Sequence, residues 1–578
     1  MPCRARLCGF GILLAGYLLY AVRADAFSVT VDAPTAVKPL LMQHVYLFRE
    51  QQLPERRADR FGMMRRTRLQ INDLLATEGY FTPEVTFDRS EEVWHVTVTP
   101  GPRTTISEVD ITFDGEIAGQ GDEEIVRAAN LKKNWKLKKD MPFRQKDWDN
   151  AKATLLDEVS GYRYAAARIV RSRAEIDSEA ATARLSILID SGPTFYLGPL
   201  NVTGRKDLPE SFVFNYSHLK VGEVYDRDEL FTFQRNLQNT PQLGSVIVDI
   251  ERDPALAAAV PVDVQIVEAL PKRVNFGVGV SSDTGYRVQG GYRNVNLMKK
   301  AWEWSSAVRM EQKRQSAFSD LFFERDKDGY QNSIGALIEQ SDIEDLDQRI
   351  YAIGAARSST RGNIDSKLTL RLQHEILEPK GGERTSTNAL TLNWKWTQHA
   401  VDNLFDPRNG YVVETQIGGG TDIGIGSQNF VRVLGRFIYY MPVGQRDNLI
   451  LRAEAGKTFA PSRDGIPQDF LFRVGGSQSV RGYSYNSLGV KDGKATVGGR
   501  YMGIVSAEYV HWFEDSDFGM AFFVDSGDAA DTRSDFLWHT GVGSGVRWRS
   551  PAGPLAVDLA WGNRSRQVKL HFGLGIAF

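Results

Sequence analysis

The 578-residue chain is too long for one domain and, with 25% charged residues, too polar for a bundle of membrane helices. A formal net charge of -2 and a pI of about 6.5 leave no concentrated basic surface of the kind that nucleic acid requires. We therefore expect several domains and no nucleic-acid partner.

The N-terminus predicts a secretory signal over residues 1–26. Arg4 and Arg6 precede an apolar run over residues 7–22, and Ala24-Asp25-Ala26 supplies the small residues of a cleavage site. The run of roughly 16 residues is shorter than the roughly 20 that a membrane-spanning helix needs. A cleaved signal is therefore favoured over a membrane anchor.

The mature chain shows no pattern typical of a catalytic, metal or cofactor site. Both cysteines, Cys3 and Cys8, lie within the predicted signal, so no disulfide, thiol nucleophile or thiolate metal site is expected. The sequence has no His-Glu-x-x-His, Walker or Gly-x-Ser-x-Gly motif, and its eight histidines are scattered. We therefore expect neither an enzyme nor a cofactor.

The first half of the chain contains an internal repeat. A strand, a Gly-Pro turn and a second strand occur around Gly101-Pro102 and again around Gly192-Pro193, 91 residues further on. A third copy of the closing strand covers residues 262–268, which are apolar at alternate positions. Each copy also has a helix with one apolar stripe, followed by a glycine: Ile71, Leu74 and Leu75 before Gly79; Trp148, Ala151, Leu155, Leu156 and Val159 before Gly161; Leu230, Phe233 and Leu237 before Gly244. Three α+β units are predicted.

The second half has the pattern of an antiparallel transmembrane β-barrel. Its last strand is apolar at every second position for six positions, from Val568 to Phe578, which matches the roughly 9 to 11 residues of a tilted membrane strand. Eight of the 11 tryptophans lie in this half, as aromatic girdles at the bilayer interfaces would require. At roughly 19 residues for a strand and its connection, residues 272–578 predict about 16 strands.

These patterns set the expected domain boundaries. They are a signal at 1–26, α+β units at 27–103, 104–195 and 196–271, and a barrel at 272–578. A short sheet with an exposed edge can add a strand from another chain, so the sequence favours peptide capture at the edges of these units.

One loop in the barrel half carries an arginine between glycines. The loop reads Phe-Arg-Val-Gly-Gly-Ser-Gln-Ser-Val-Arg-Gly-Tyr over residues 472–483, with Arg481 at its tip. Downstream, Glu508 and Asp525 each interrupt an apolar or aromatic strand, where alternation directs a carboxylate inward. An enclosed charge is tolerated only when it is paired and hydrogen-bonded. We therefore predict that Arg481 pairs with both acids, against the alternative of three unrelated surface charges.

These segments resemble the signature motifs of the BamA-like assembly and two-partner secretion superfamily. The matching residues are Val480, Arg481, Gly482 and Tyr483 in the loop, Phe522, Asp525 and Gly527 in the strand, and the turn at 406–410. The resemblance covers nearly all of the mature chain, because the repeats are similar to POTRA (polypeptide-transport-associated) domains. It implies three periplasmic POTRA domains before an outer-membrane barrel, and an Arg481 that locks the loop inside the lumen. It also implies that the C-terminal residues form the signal for the barrel's own insertion, through His571, Gly573, Ile576 and Phe578.

Three POTRA-like units in a chain of this size are similar to the TamA family, the outer-membrane subunit of the translocation and assembly module. This resemblance implies a factor that inserts or translocates client barrels such as autotransporters into outer-membrane lipid, through a weak seam between the first and last strands. It also implies an inner-membrane-anchored, periplasm-spanning TamB-like partner that meets residues 27–103. The alternative is a two-partner secretion transporter that exports one dedicated protein through its lumen, although no Pro-rich plug segment precedes the first repeat. A passive porin or adhesion barrel would not need three periplasmic repeats.

Overall fold

The computed structural model describes residues 28–49, 57–89, 93–422, 428–550 and 553–577, so the predicted signal and Phe578 lie outside the described residues. The chain divides into two compact units. One contains the described residues up to 199 together with 220–228 and 250–261, and the other contains the remaining described residues. In the described part of the chain, no helix is long and apolar enough to cross a membrane.

The first α+β unit begins at the described N-terminus. Its elements are β1 (Ser28–Asp32), α1 (Lys38–His44), α2 (Arg57–Thr77), β2 (Glu84–Arg89) and β3 (Val93–Thr99). The strand order is β1-β3-β2, with β1 parallel and β2 antiparallel to the central β3. Ile71 and Leu75, two residues of the predicted helical stripe, are fully buried in a core that includes Trp94 and Val96 of β3.

The second unit repeats this strand order. Its elements are β4 (Thr105–Asp114), α3 (Asp122–Asn134), α4 (Gln145–Ser160), β5 (Arg168–Asp177) and β6 (Thr182–Asp190). The order is β4-β6-β5, again with a parallel first pair and an antiparallel second pair. Trp148, Leu155 and Val159 of α4 are buried against the sheet, as the apolar spacing predicts.

The third unit has the same order once more. Its elements are β7 (Leu197–Thr203), α5 (Ser211–Phe214), α6 (Arg227–Gln238), β8 (Leu243–Ile250) and β9 (Val260–Glu268), and the sheet order is β7-β9-β8. Leu230, Phe233 and Leu237 of α6 are buried. The α+β character of the N-terminal half is confirmed, while the boundaries at 27–103, 104–195 and 196–271 stay predictions.

A carboxylate–arginine contact recurs between the long helices of successive units. Glu78, the residue that follows α2, accepts two hydrogen bonds at 2.9 and 3.0 Å from Arg144, the residue that precedes α4. Asp157, in the last turn of α4, accepts a hydrogen bond of 2.9 Å from Nη2 of Arg227, the first residue of α6. The Arg227 amide also donates to the Gly161 carbonyl at 2.9 Å. The repeated features therefore include the ion pair between the long helices of neighbouring units as well as the cores of the units.

The Asp157–Arg227 ion pair should weaken in acid. The hydrogen bond from Arg227 holds the pKa of the Asp157 carboxyl below its ordinary value. An acid with a lowered folded-state pKa stabilises the fold at neutral pH, and this stabilisation is lost below about pH 4. Because Asp157 is largely exposed, we expect only about 0.2–1 kcal/mol. Hydrogen exchange of the Arg227 amide, corrected for intrinsic rates, should lose protection between pH 7 and pH 3 in the wild type but not in Asp157→Asn. An equal pH response in both proteins would contradict this expectation.

The C-terminal half forms the barrel wall. Its strands up to the longest connection are β10 (Lys272–Ser281), β11 (Gly285–Leu297), β12 (Trp302–Glu311), β13 (Arg314–Phe322), β14 (Tyr330–Ile343), β15 (Leu346–Arg361), β16 (Ile364–Pro379), β17 (Thr385–Val401), β18 (Gly410–Asp422), β19 (Asn429–Val443) and β20 (Asp447–Phe459). Each of these strands pairs antiparallel with the next one in sequence.

The connection after β20, residues 460–500, is called the lumen loop below. It holds a 3-10 turn at Gln468–Phe470 and a small two-stranded sheet of β21 (Val490–Asp492) and β22 (Ala495–Val497). The wall then continues as β23 (Tyr501–Trp512), β24 (Phe518–Ala530), β25 (His539–Ser550), β26 (Gly553–Gly562) and β27 (Val568–Ala577). Within the described residues, 16 strands close the barrel, which confirms the predicted number.

The wall strands alternate between an apolar outer face and a more polar inner face. In β26, Val557, Leu559 and Trp561 are exposed on the outside, whereas Asp558 and Ala560 are buried on the inside. An apolar outer surface suits lipid, and the inner face must satisfy its charges with partners inside the barrel. The lumen loop supplies several of those partners.

Candidate functional site: the lumen loop and the seam

Arg481 at the tip of the lumen loop is buried against the inner face of β24. Its Nε and Nη2 donate to the two carboxylate oxygens of Asp525 at 2.7 and 3.0 Å, and its backbone N–H donates to the same carboxylate at 3.1 Å. Ser506 adds a fourth donor to Asp525 at 2.6 Å. Glu508, on β23, accepts from Arg481 Nη1 at 2.7 Å. The structure thus brings together Arg481, from the tip of the loop, and the two carboxylates that strand alternation directs inward, Glu508 and Asp525.

Two further charged residues complete this cluster and were missed at the sequence level. Asp558 on β26 accepts from Arg481 Nη1 at 3.0 Å. Arg547 on β25 donates to Glu508 at 2.7 Å and also pairs with Asp558. The cluster therefore has one more carboxylate than guanidinium groups, so each arginine serves more than one acid. Asp558 occupies an inward position of an alternating strand, which is the one signal that could have identified it.

The loop motif is also held by apolar and aromatic contacts. The Arg481 guanidinium lies 3.3 Å from the ring centroid of Phe523, an inward residue of β24. Val480 is fully buried and Tyr483 nearly so, in a small core with Phe472 and Val474 of the same loop. The motif is therefore anchored by charge, a cation–π contact and packing together.

Glycines allow the loop backbone to approach the wall. Gly482 has a φ of +91°, and a Cβ there would lie 2.9 Å from the Gly562 backbone nitrogen. On the wall itself, a Cβ at Gly541 of β25 would lie only 1.7 Å from the Arg481 carbonyl oxygen. The loop can follow this path only because Gly482 on the loop and Gly541 on the wall both lack a side chain.

The base of the lumen loop is fastened to a different strand, β16. Glu375, which is fully buried, accepts from the Gln468 N–H at 3.0 Å and from Gln348 at 2.8 Å. Arg371 forms an ion pair with Asp469 at 3.0 Å. The loop therefore extends across the lumen from β16 to the cluster on β23–β26.

The other predicted motif residues occupy distinct positions. Phe522 of the strand motif faces outward and is 52% exposed, so it belongs to the lipid-facing surface rather than to the cluster. Gly527 pairs with Ile504 and His539 on the neighbouring strands. At the turn before β18, Asp406 forms an ion pair with Arg549 at 2.8 Å.

The C-terminal motif is only partly described. His571 is buried, and its Nε2 accepts a hydrogen bond from the Gly482 N–H at 2.9 Å. Gly573 lies in β27, with open space where a Cβ would be. Ile576 is described only by its backbone pairing, to Val278, and Phe578 lies outside the described residues.

The last strand divides its pairing between its two neighbours. Residues 568–572 of β27 pair with β26, and residues 573–577 pair with β10. Among the described residues, the β10–β27 contact, called the seam below, thus has five register pairs, compared with ten between β10 and β11. At the change-over point, the Ser282 N–H donates to the Phe572 carbonyl at 3.0 Å, and the Phe572 N–H donates to Ser282 Oγ at 3.2 Å.

A sequence model of the Omp85 superfamily domain matches residues 270–578, the whole barrel with its lumen loop. The chain belongs to the Omp85 superfamily. This membership agrees with the predicted BamA-like relationship, and it makes the lumen loop and its acidic partners features of an Omp85 barrel.

Individual relatives of this Omp85 chain agree with the assignment. The outer membrane protein assembly factor BamA of Nitratidesulfovibrio vulgaris is 25% identical over 501 residues, which cover 82% of this chain and 61% of that protein. The chain thus spans about three fifths of the length of this curated relative. The crystal structure of BamA from Haemophilus ducreyi lacking POTRA domains 1–3 has a TM-score of 0.65 at 17% identity, covering 82% of this chain and 100% of that one.

CdiB from Acinetobacter baumannii has a TM-score of 0.45 at 14% identity, covering 91% of this chain and 100% of that chain, a level at which the likeness supports no argument.

The family and the 16-stranded barrel identify an outer-membrane protein whose POTRA-like units lie in the periplasm. The finer resemblance to the TamA family is a proposal.

Proposed function

We propose that this Omp85 protein is an assembly factor that inserts or translocates client β-barrel proteins in the outer membrane. The observation that carries the proposal is the seam, where β27 leaves β26 after Phe572 and pairs with β10 through five residues. A five-pair contact separates at lower cost than the ten-pair contact between β10 and β11, because fewer ladder hydrogen bonds must break. A seam of this kind supports lateral passage of client strands from the lumen side into lipid.

The loop that crosses the lumen supports lateral insertion over permanent conduction. The lumen loop extends between the β16 and β24 walls, fastened by Glu375 at one end and by Asp525 at the other. A transporter that exports one dedicated partner through the lumen, the alternative function, would need this loop to leave both anchors in each cycle. That movement is unfavourable, because it would leave Asp525 buried in the wall without its arginine partner.

The N-terminal units supply a second element of the proposal, the capture of clients. β5 is an edge strand of the second sheet and carries three exposed arginines, Arg168, Arg171 and Arg173. Val170, at the irregularity in its pairing, is 52% exposed. The free edge of this sheet offers backbone groups to which an extended client segment can add as a further strand.

The finer proposal places the protein in a translocation and assembly module. Three POTRA-like units in a chain of this length support it, and it implies autotransporter clients and a TamB-like partner, anchored in the inner membrane, at residues 27–103. Deletion of the gene, followed by quantitative comparison of the outer-membrane and secreted proteomes, tests the proposal.

Loss of a few autotransporter-like barrels is the expected result. Loss of nearly all barrels would replace the finer proposal with a general assembly role, and loss of one secreted protein would indicate dedicated export. Complementation with the wild-type gene is the control, since polar effects on neighbouring genes would not be restored. Unchanged proteomes would contradict the assembly function altogether.

A further inference from the structure

We propose that the lumen loop holds the seam closed by binding both sides of it. On the first-strand side, beside β10, Ser477 of the loop binds Asp283. On the last-strand side, Gly482 of the loop binds His571 of β27, and these two contacts are called the latch below. This inference goes beyond the proposed function, because it concerns what holds the barrel closed, whatever passes through the seam. The residues of the latch are positioning residues that act on β10 and β27.

The last-strand side is held by the arginine motif itself. The Gly482 N–H donates to His571 Nε2 at 2.9 Å, one residue before the point where β27 changes neighbours. Tyr483 also reaches the β26–β27 turn: its hydroxyl donates to Asn563 Oδ1 at 2.8 Å and accepts from the Arg564 N–H at 3.1 Å. The loop thus contacts both the last strand and the turn that leads into it.

The first-strand side is held only a few residues earlier in the loop. Ser477 Oγ donates to Asp283 Oδ2 at 2.7 Å, and the Ser477 N–H lies 3.4 Å from Oδ1 of the same carboxylate. Asp283 lies in the turn between β10 and β11. At Gly476 a Cβ would be 3.3 Å from Asp283 Oδ1, so the Asp283 carboxylate lies close to the loop backbone at this point.

These contacts reinforce the point at which β27 changes its pairing partner from β26 to β10. Ser282 and Phe572 exchange hydrogen bonds there, flanked by Asp283 on one side and His571 on the other. Both flanking side chains bind the same short stretch of loop, residues 477–482, and Arg481 within that stretch is fixed to Asp525. The wall cluster therefore fixes the latch, and the latch ties together the two strands that must separate when the seam opens.

The test measures the seam directly, in intact outer membranes. Val280 and Leu574 are register partners, and replacing both with cysteine allows a disulfide to report the closed seam. Both natural cysteines lie in the predicted signal, so no background thiol is expected. In this background, Ser477→Ala and His571→Leu should each lower the ratio of closed to open seam about fivefold, as expected for one lost hydrogen bond.

Three controls give the test its specificity. Ser477→Thr keeps a hydroxyl for Asp283 and should restore the yield of crosslink. Lys491→Ala removes a contact to Thr496 within the loop, 2.6 Å long and not part of the latch, and should leave the yield unchanged. Ser477→Ala and Asp283→Ala combined should have no more effect than Asp283→Ala alone, because Asp283→Ala already removes both contacts to Ser477. An unchanged yield in Ser477→Ala and Asp283→Ala, or an equal fall in Lys491→Ala, would overturn the latch.

Discussion

Arg481→Ala is expected to leave the barrel in the outer membrane but to release the lumen loop and impair client assembly. The substitution removes the shared partner of Asp525, Glu508 and Asp558, and Arg547 remains as the one guanidinium of the cluster. Breaking a buried ion pair by removing one member costs about 3–5 kcal/mol, enough to favour an undocked loop. Membrane level, trypsin cleavage at loop lysines such as Lys491, and the amount of client barrels measure the three effects.

Arg481→Lys separates charge from geometry. Lysine keeps the positive charge but cannot make the bidentate contact that Arg481 makes with Asp525, so we expect an intermediate phenotype. Lys491→Ala, which changes the same loop outside the cluster, is the matched control for client assembly and should behave as wild type. A protected loop with normal client levels in Arg481→Ala would refute the role given to this arginine.

The parts of the site that the sequence predicted are those that local rules govern. Glu508 and Asp525 lie in strands whose alternation directs them inward, and an enclosed carboxylate needs a cation, which Arg481 provides. The number of wall strands followed from the length of the C-terminal half, because a strand and its connection average roughly 19 residues even though single strands and loops differ in length. The three α+β units likewise followed from the repeated Gly-Pro turns and helical stripes.

The parts that the sequence did not predict depend on register and on the path of a long loop. Asp558 and Arg547 lie on β26 and β25, and only the stagger of these strands brings them level with Arg481. Glu375 meets the loop more than 90 residues later in the sequence, and Asp283 meets Ser477 across 194 positions. Such contacts are set by the closure of the barrel, which no local pattern of residues encodes.

Gly541→Ala is expected to reproduce the phenotype of Arg481→Ala without touching any charge. A Cβ at this position of β25 would lie 1.7 Å from the Arg481 carbonyl oxygen, far inside van der Waals contact. The obstacle is backbone, which cannot rotate away, so the loop tip must move and the guanidinium must lose its alignment with Asp525. We expect increased trypsin cleavage of the lumen loop and reduced client assembly at a normal membrane level.

Gly435→Ala on β19 is the matched control, because a Cβ there would have nothing within 4 Å. Both substitutions replace one strand glycine of the barrel wall by alanine, so a general effect on strand formation would appear in both. A second substitution in the loop cannot relieve the clash, since the contact at position 541 is to a carbonyl oxygen that every residue carries. If Gly541→Ala behaves like Gly435→Ala, close backbone contact between loop and wall is not needed for assembly, and the charge cluster alone must hold the loop.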